Sequence, residues 1–293
     1  MTDVEAALMK LALALNSSIN ESSAFSIWLR DLLTSDIFLT GIFTLLSGLS
    51  GAYFGAKLQR DTTERHTLKK ELLSEIRTTQ ILMSFAFNAL NKSWSVKRQN
   101  IAPTLSRYYL AKQRFQCEVA AGIKPAVFQV SMDSIQGINL ESEAILANIS
   151  QNINATPLLV ASAVATRQSE AAFNDTNSKI NKFFDKWSEN LERPTPMNYF
   201  SIEMPGSPKD SRFSDLQRNI ELYTDDCVYF SYVLCEEAHQ HLSNLIKAYE
   251  KKFGKDDTPK LTTYDASAIS ESYQFPDKAQ YEKWFSGFQT EPY

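Results

Sequence analysis

Residues 37 to 56 carry no charge, twenty positions between Asp36 and Lys57. A helix rises about 1.5 Å per residue, so such a stretch spans roughly 30 Å, the thickness of a bilayer's hydrocarbon core. A helix buried in a water-soluble core usually shows a polar or charged residue on an exposed face at each turn, and this run holds no Asp, Glu, Lys, Arg or His. The expectation is an all-α chain in which a single transmembrane helix (37–56) continues into a cytoplasmic helical-bundle domain.

Cationic side chains are retained on the cytoplasmic side of a span. Lys57, Arg60, Arg65, Lys69 and Lys70 follow the run, whereas only Arg30 stands shortly before it. The short segment 1–36 is therefore expected outside and the rest in the cytoplasm. The same basic residues suit lipid headgroups, although Asp61, Glu64 and Glu71 dilute any specific recognition of anionic lipid. A cleavable signal peptide needs a basic start and an early apolar run. Here Asp3 and Glu5 open the chain, which reads as an uncleaved signal anchor of a bacterial inner membrane protein, by analogy of layout alone.

Within the run, Thr40, Thr44, Ser47, Gly51 and Gly55 recur at helical spacing and make one small, weakly polar face. Small residues let helix backbones approach closely, so the Gly51-to-Gly55 GxxxG pair extended back to Ser47 predicts self-association. A narrow pore lined by Thr40, Thr44 and Ser47 is the more ambitious alternative. Phe38, Ile42, Leu45 and Leu49 lie opposite, as a lipid-facing wall. Before the run, Val4, Leu8, Leu11 and Leu15, then Phe25, Trp28, Leu29 and Leu32, suggest two amphipathic helices, set either in the outer interface or against another subunit.

The chain has 30 basic and 34 acidic side chains, which argues against a nucleic-acid partner because such binding requires neutralised phosphates. Its 9 glycines in 293 residues and helical periodicities predict a mainly helical body at 68–255 after a polar helical stalk at 57–67. Leu68, Leu72, Ile76, Met83, Phe87 and Leu90 form its first buried stripe. Pro103 predicts a helix break, 127–130 a short strand or an irregular segment, and Thr156-Pro157 a helix start. A Pro-rich loop is expected at 193–210. Ser214 and Gln217 fit a capping box for a helix of about 40 residues ending near Gly254. The aromatic-rich tail 256–293 suits either docking on the body or binding a partner.

The only constellation resembling a chemical site is Cys227, Cys235, His239 and His241. Cys235 and His239 share a face and suit zinc or a nucleophilic pair, but Cys227 and His241 are about 20 Å apart on a straight helix. With His66 and Cys117 the only other His and Cys, no four-ligand set converges. No cofactor, metal or catalytic residue is assigned, and no enzyme is expected. The function expected is a membrane-anchored, self-associating scaffold, sensor or interaction protein whose partners are membrane lipid, further copies of itself and a cytoplasmic protein. A membrane-perturbing effector of a stress or phage-defence response is one alternative, and a tethered enzyme with a Cys/His site is another.

Overall fold

The computed structural model describes residues 10, 31, 35–131, 134–188, 200–202, 210–255, 258–260 and 263–288, with the side chains of 37–39, 42, 43 and 152 outside the described ones. The two amphipathic helices expected before residue 36 therefore lie outside the described residues, as do Phe38 and Ile42 of the expected lipid-facing wall and most of the Pro-rich loop. The described chain is mostly helical and, among the described residues, contains no strand. It divides into two units, Met1–Leu68 and Lys69–Tyr293.

In the second unit four antiparallel legs enclose the core. The first is the C-terminal part of helix α1 (Asp36–Val96) followed by a π-helical turn (Lys97–Ile101) and α2 (Ala102–Ala120). Pro103 was expected to break the helix, yet Ile101 and Ala102 keep helical dihedrals. The wider turn explains this: the Ala102 N–H bonds back to Lys97 O, five residues away, and the extra residue makes room for a ring that has no N–H to donate. Proline here shifts the hydrogen-bond register without ending the helix.

The second leg returns through an irregular segment and α3 (Ser142–Asn152). The third is α4 (Pro157–Ser188), which starts where Thr156 and Pro157 predict: Leu159 N donates to Thr156 Oγ1 at 3.1 Å. The fourth is α5 (Arg212–Phe253), ended at Gly254, whose φ of +90° suits glycine. The expected capping box is corrected. The helix begins at Arg212, Ser214 Oγ donates to Ser211 O, and Gln217 is buried. Side-chain pairs along the bundle, Glu75 with His241, Lys97 with Asp225, and Tyr108 beside Phe213, set α5 antiparallel to the first leg.

The second leg is held in an unusual way. Between residues 135 and 140 the chain has no regular secondary structure, and its backbone groups pair with side chains of α4. Asn174 Oδ1 accepts from Ile138 N at 2.9 Å while its Nδ2 donates to Ile138 O at 2.8 Å. Asn177 and Asn181 both donate to Ile135 O, and Glu170 accepts from Leu140 N and the Ser142 hydroxyl. Glu170, Asn174, Asn177 and Asn181 recur at steps of four, three and four, one face of a helix. That face supplies the donors and acceptors a neighbouring strand would otherwise give, which leaves Ile135, Ile138 and Leu140 free to bury their side chains. Gly137 sits where a Cβ would come within 2.9 Å of Asn174 Oδ1. Residues 127–130 are irregular, with Phe128 packed against Phe115 and Phe200.

Two further clusters complete the core. Tyr108, Phe115, Phe200, Ile202 and Phe213 close the end at α2. Residues 200–202, inside the expected Pro-rich loop, thus contribute two core side chains. Tyr229, Phe230 and Val233 of α5 pack under the C-terminal segment, which carries α6 (Ser267–Ser270), a 3-10 turn (Lys278–Tyr281) and α7 (Glu282–Ser286).

Candidate functional site

In the first unit, α1 presents the residues expected to form the assembly face. Thr40, Thr44, Ser47, Gly51 and Gly55 are exposed, and a Cβ built at Gly51 or Gly55 meets nothing within 4 Å. The hydroxyls turn inward: Thr44 donates to Thr40 O at 2.7 Å, Ser47 to Thr44 O at 3.0 Å, and Ser50 to Leu46 O at 2.7 Å. Such back-bonding satisfies the polar groups of a helix without water. Leu45 is 63% exposed and Phe54 67%, and Leu49, Tyr53 and Leu58 are similarly uncovered. Helical spacing places Leu45, Leu49 and Tyr53 on one side and Phe54 and Leu58 on another. Among the described residues no helix is long and apolar enough to cross a membrane, but five apolar members of the uncharged run, Ile37, Phe38, Leu39, Ile42 and Phe43, fall outside the described side chains.

The basic residues after the run separate into different roles. Lys57 and Lys70 are exposed, and Arg60 pairs with Glu64 one turn on at 2.7 Å. Arg65 is exposed as well. Lys69, in the second unit, lies 6.0 Å from the ring centres of both Tyr249 and Phe253, which covers the end of α5 with a cation over aromatic faces.

The Cys/His constellation is dispersed. Cys227 and Cys235 are buried, and burial pushes both thiols well above their ordinary range, away from the thiolate that nucleophilic attack or metal binding requires. His239 meets the edge of Tyr264, and His241 points to Glu75 at 3.2 Å, where the same carboxylate oxygen accepts from Asn154 N. His66 and Cys117 are exposed and lie elsewhere in the chain. Among the described residues no group of His, Cys, Asp and Glu is arranged to hold a metal ion.

A charged network missed in the sequence lies beside the π-helical turn. Lys97 Nζ pairs with Asp225 Oδ1 at 2.6 Å and donates to Gln274 O, while Tyr281 OH donates to Asp226 Oδ1 at 2.9 Å. Tyr281 stacks on Tyr229 with ring centres 3.7 Å apart. Two neighbouring acids of α5 thus bind different elements, Asp225 the turn and Asp226 the C-terminal segment. Burial raises both carboxyls above the usual range, against the opposing pull of Lys97 on one and of Tyr281 on the other. Burial also raises Glu221, helped by Asp225. The arrangement holds structure together; its one signal in the sequence is a charged pair, Asp225-Asp226, inside an otherwise apolar stretch of helix.

A raised folded-state pKa fixes the sign of a pH effect. The contribution of Asp226 is fully present below its ordinary pKa of 3.8 and is withdrawn as pH rises through its folded value. Asp226→Asn keeps an oxygen to accept from Tyr281 and removes the desolvated charge. It is expected to raise the unfolding midpoint at pH 7 and to flatten the pH dependence above pH 3.8. A lower midpoint at pH 7, read by thermal circular dichroism, would show that the Asp226 charge itself stabilises the fold.

No family model, no curated protein and no solved structure matches this chain.

Proposed function

We propose that this protein is a single-pass membrane protein that self-associates through the small face of α1 and presents its helical body to cytoplasmic protein partners. The observation that carries the reading is the uncharged run 37–56 on a helix whose apolar side chains, among the described residues, remain uncovered on more than one side. Apolar surface of that extent is unfavourable in water and favourable in lipid, and back-bonded hydroxyls suit a medium with no water to satisfy them. Lys57, Arg60, Arg65, Lys69 and Lys70 support a cytoplasmic body in a bacterial inner membrane, with residues 1–36 outside. The open space around Gly51 and Gly55 supports close approach of a second helix.

The test is the subunit number of the full chain in nanodiscs, read by light scattering, beside Gly51→Ile with Gly55→Ile. The native chain is expected to be an oligomer and the variant a monomer, since two branched side chains would hold the backbones apart. Native chain that partitions into the aqueous phase after carbonate washing of membranes would overturn the anchor, and an oligomer unchanged by the two isoleucines would overturn the assembly face.

A further inference from the structure

Lys69 is the first residue of the second unit, and its ammonium lies 6.0 Å from the ring centres of Tyr249 and Phe253. The last turn of α5 therefore sits beside the point where the chain enters the body. Two stretches far apart in sequence meet there, and both are basic: Lys69 and Lys70 on α1, and Lys247, Lys251, Lys252 and Lys255 at and just after the end of α5. Lys69 is already engaged with the two rings, so the charges open to a ligand are those of the other lysines. Lys70, Lys247, Lys251, Lys252 and Lys255 are all exposed, and none of them pairs with a carboxylate among the described residues. The acids on the same stretches are Glu71 and Glu250, with Asp256 and Asp257 next in the sequence. The dipole of α5 favours cations in its last turn, which accounts for Lys251 and Lys252. It does not account for Lys247, which precedes that turn, or for Lys70 on another helix.

Covalent connection limits what this end can meet. Lys69 follows Ala56, the last residue of the uncharged run, by thirteen positions. However the two units are arranged, the chain holds this end of the body within about 45 Å of the run. A second copy would bring the same lysines and be repelled. The open charges are all lysines, compact hydrated cations that suit a diffuse anionic surface, whereas bidentate recognition of a single carboxylate or phosphate calls for arginine. A handful of basic residues close to a span is enough for attraction to an anionic leaflet. We infer that this end of the body rests on anionic phospholipid headgroups, with Lys70, Lys247, Lys251, Lys252 and Lys255 as the contact. The inference rests on the anchored reading, which supplies the bilayer. Taken alone, the basic stretch after the run is diluted by Asp61, Glu64 and Glu71; the fold sets the lysines of α5 beside it at Lys69.

The test is a lysine footprint on the full chain in nanodiscs, either of phosphatidylcholine alone or of phosphatidylcholine mixed with phosphatidylglycerol. An uncharged acetylating reagent is applied to both, and modification is read by mass spectrometry. Lys70, Lys247, Lys251, Lys252 and Lys255 are expected to react about threefold or more slowly in the anionic discs. Lys124, exposed after α2 at the end of the bundle where α5 starts, should keep its rate. High salt should remove the difference, since screening shortens the reach of such charges. Lys251→Glu with Lys252→Glu should return Lys70 and Lys247 to their rates in neutral discs. Both substituted positions are exposed, and an unchanged helical dichroism spectrum would confirm the fold of the variant. Equal rates in the two kinds of disc would overturn the inference and leave the anchor standing, as would slowing that extends equally to Lys124. Protection by soluble polyglutamate in neutral discs, without protection by phosphatidylglycerol, would overturn it in favour of an acidic protein. A chain that elutes apart from the discs would overturn the anchor instead, and the same footprint with added phosphatidylglycerol vesicles then decides the headgroup contact.

Discussion

Phe213→Ala is expected to destabilise the chain by about 3–5 kcal/mol, the largest effect of any single truncation in the body. Phe213 is fully buried at the start of α5, and four rings surround it: Phe183 at 4.9 Å between centres, Tyr108 at 5.2 Å, Phe200 at 5.4 Å and Phe184 at 6.0 Å. These rings come from α2, α4 and the segment before α5, each fixed by its own helix or hydrogen bond, so the site collapses little when the ring is removed. Tyr108 also donates to Phe200 O at 2.8 Å, so a shifted Phe200 would disturb a buried hydrogen bond. The measurement is urea unfolding of the full chain in mild detergent by tryptophan fluorescence, with Tyr109→Ala, at a half-exposed neighbouring ring, as the comparison. Similar losses for the two variants would show that the cluster is not the keystone of this end of the bundle.

Asn174→Ala is expected to cost about 2–4 kcal/mol, because truncation leaves both the N–H and the C=O of Ile138 without the partner that replaces a strand. Gly137→Ala should destabilise as well, since its methyl group would lie 2.9 Å from Asn174 Oδ1. The two changes touch the same atoms and are expected to be non-additive. Once Asn174 is alanine, the new methyl at position 137 has room, and the double variant should lose less than the two single losses combined. Strict additivity in the same urea assay would show that Gly137 is not needed for the approach of the asparagine.

The helices of the body were legible because their buried stripes keep a helical period. Ile76, Met83 and Leu90 on α1, and Ile220, Cys227 and Leu234 on α5, are core residues. The stripe on α5 understated its burial, however. Tyr229 and Val233 lie off that stripe and, together with Phe230 on it, are covered by the C-terminal segment through Tyr281, Trp284 and Phe285. Two faces of one helix can each be buried by different elements, and periodicity reports only the more continuous of them. Of the two roles open to the aromatic tail, residues 263–288 take the docked one.

Glu170, Asn174, Asn177 and Asn181 were overlooked because polar residues at helical spacing ordinarily mark a solvated face. Here the partner is not solvent but an irregular backbone segment, and nothing in the identity of residues 135–140 announces that their N–H and C=O groups need side-chain partners.

Amino-acid order by itself determined the helical class, the uncharged run with its small-residue face, the capped start of α4 and the glycine stop after α5, since each depends on residues within a turn or two of one another. The tertiary structure alone decided that Pro103 is absorbed by a π-helical turn, that His241 pairs with Glu75, and that an asparagine stripe stands in for a strand. Those outcomes depend on which distant surfaces meet, and the free energy of such meetings belongs to pairs of segments that no local pattern contains.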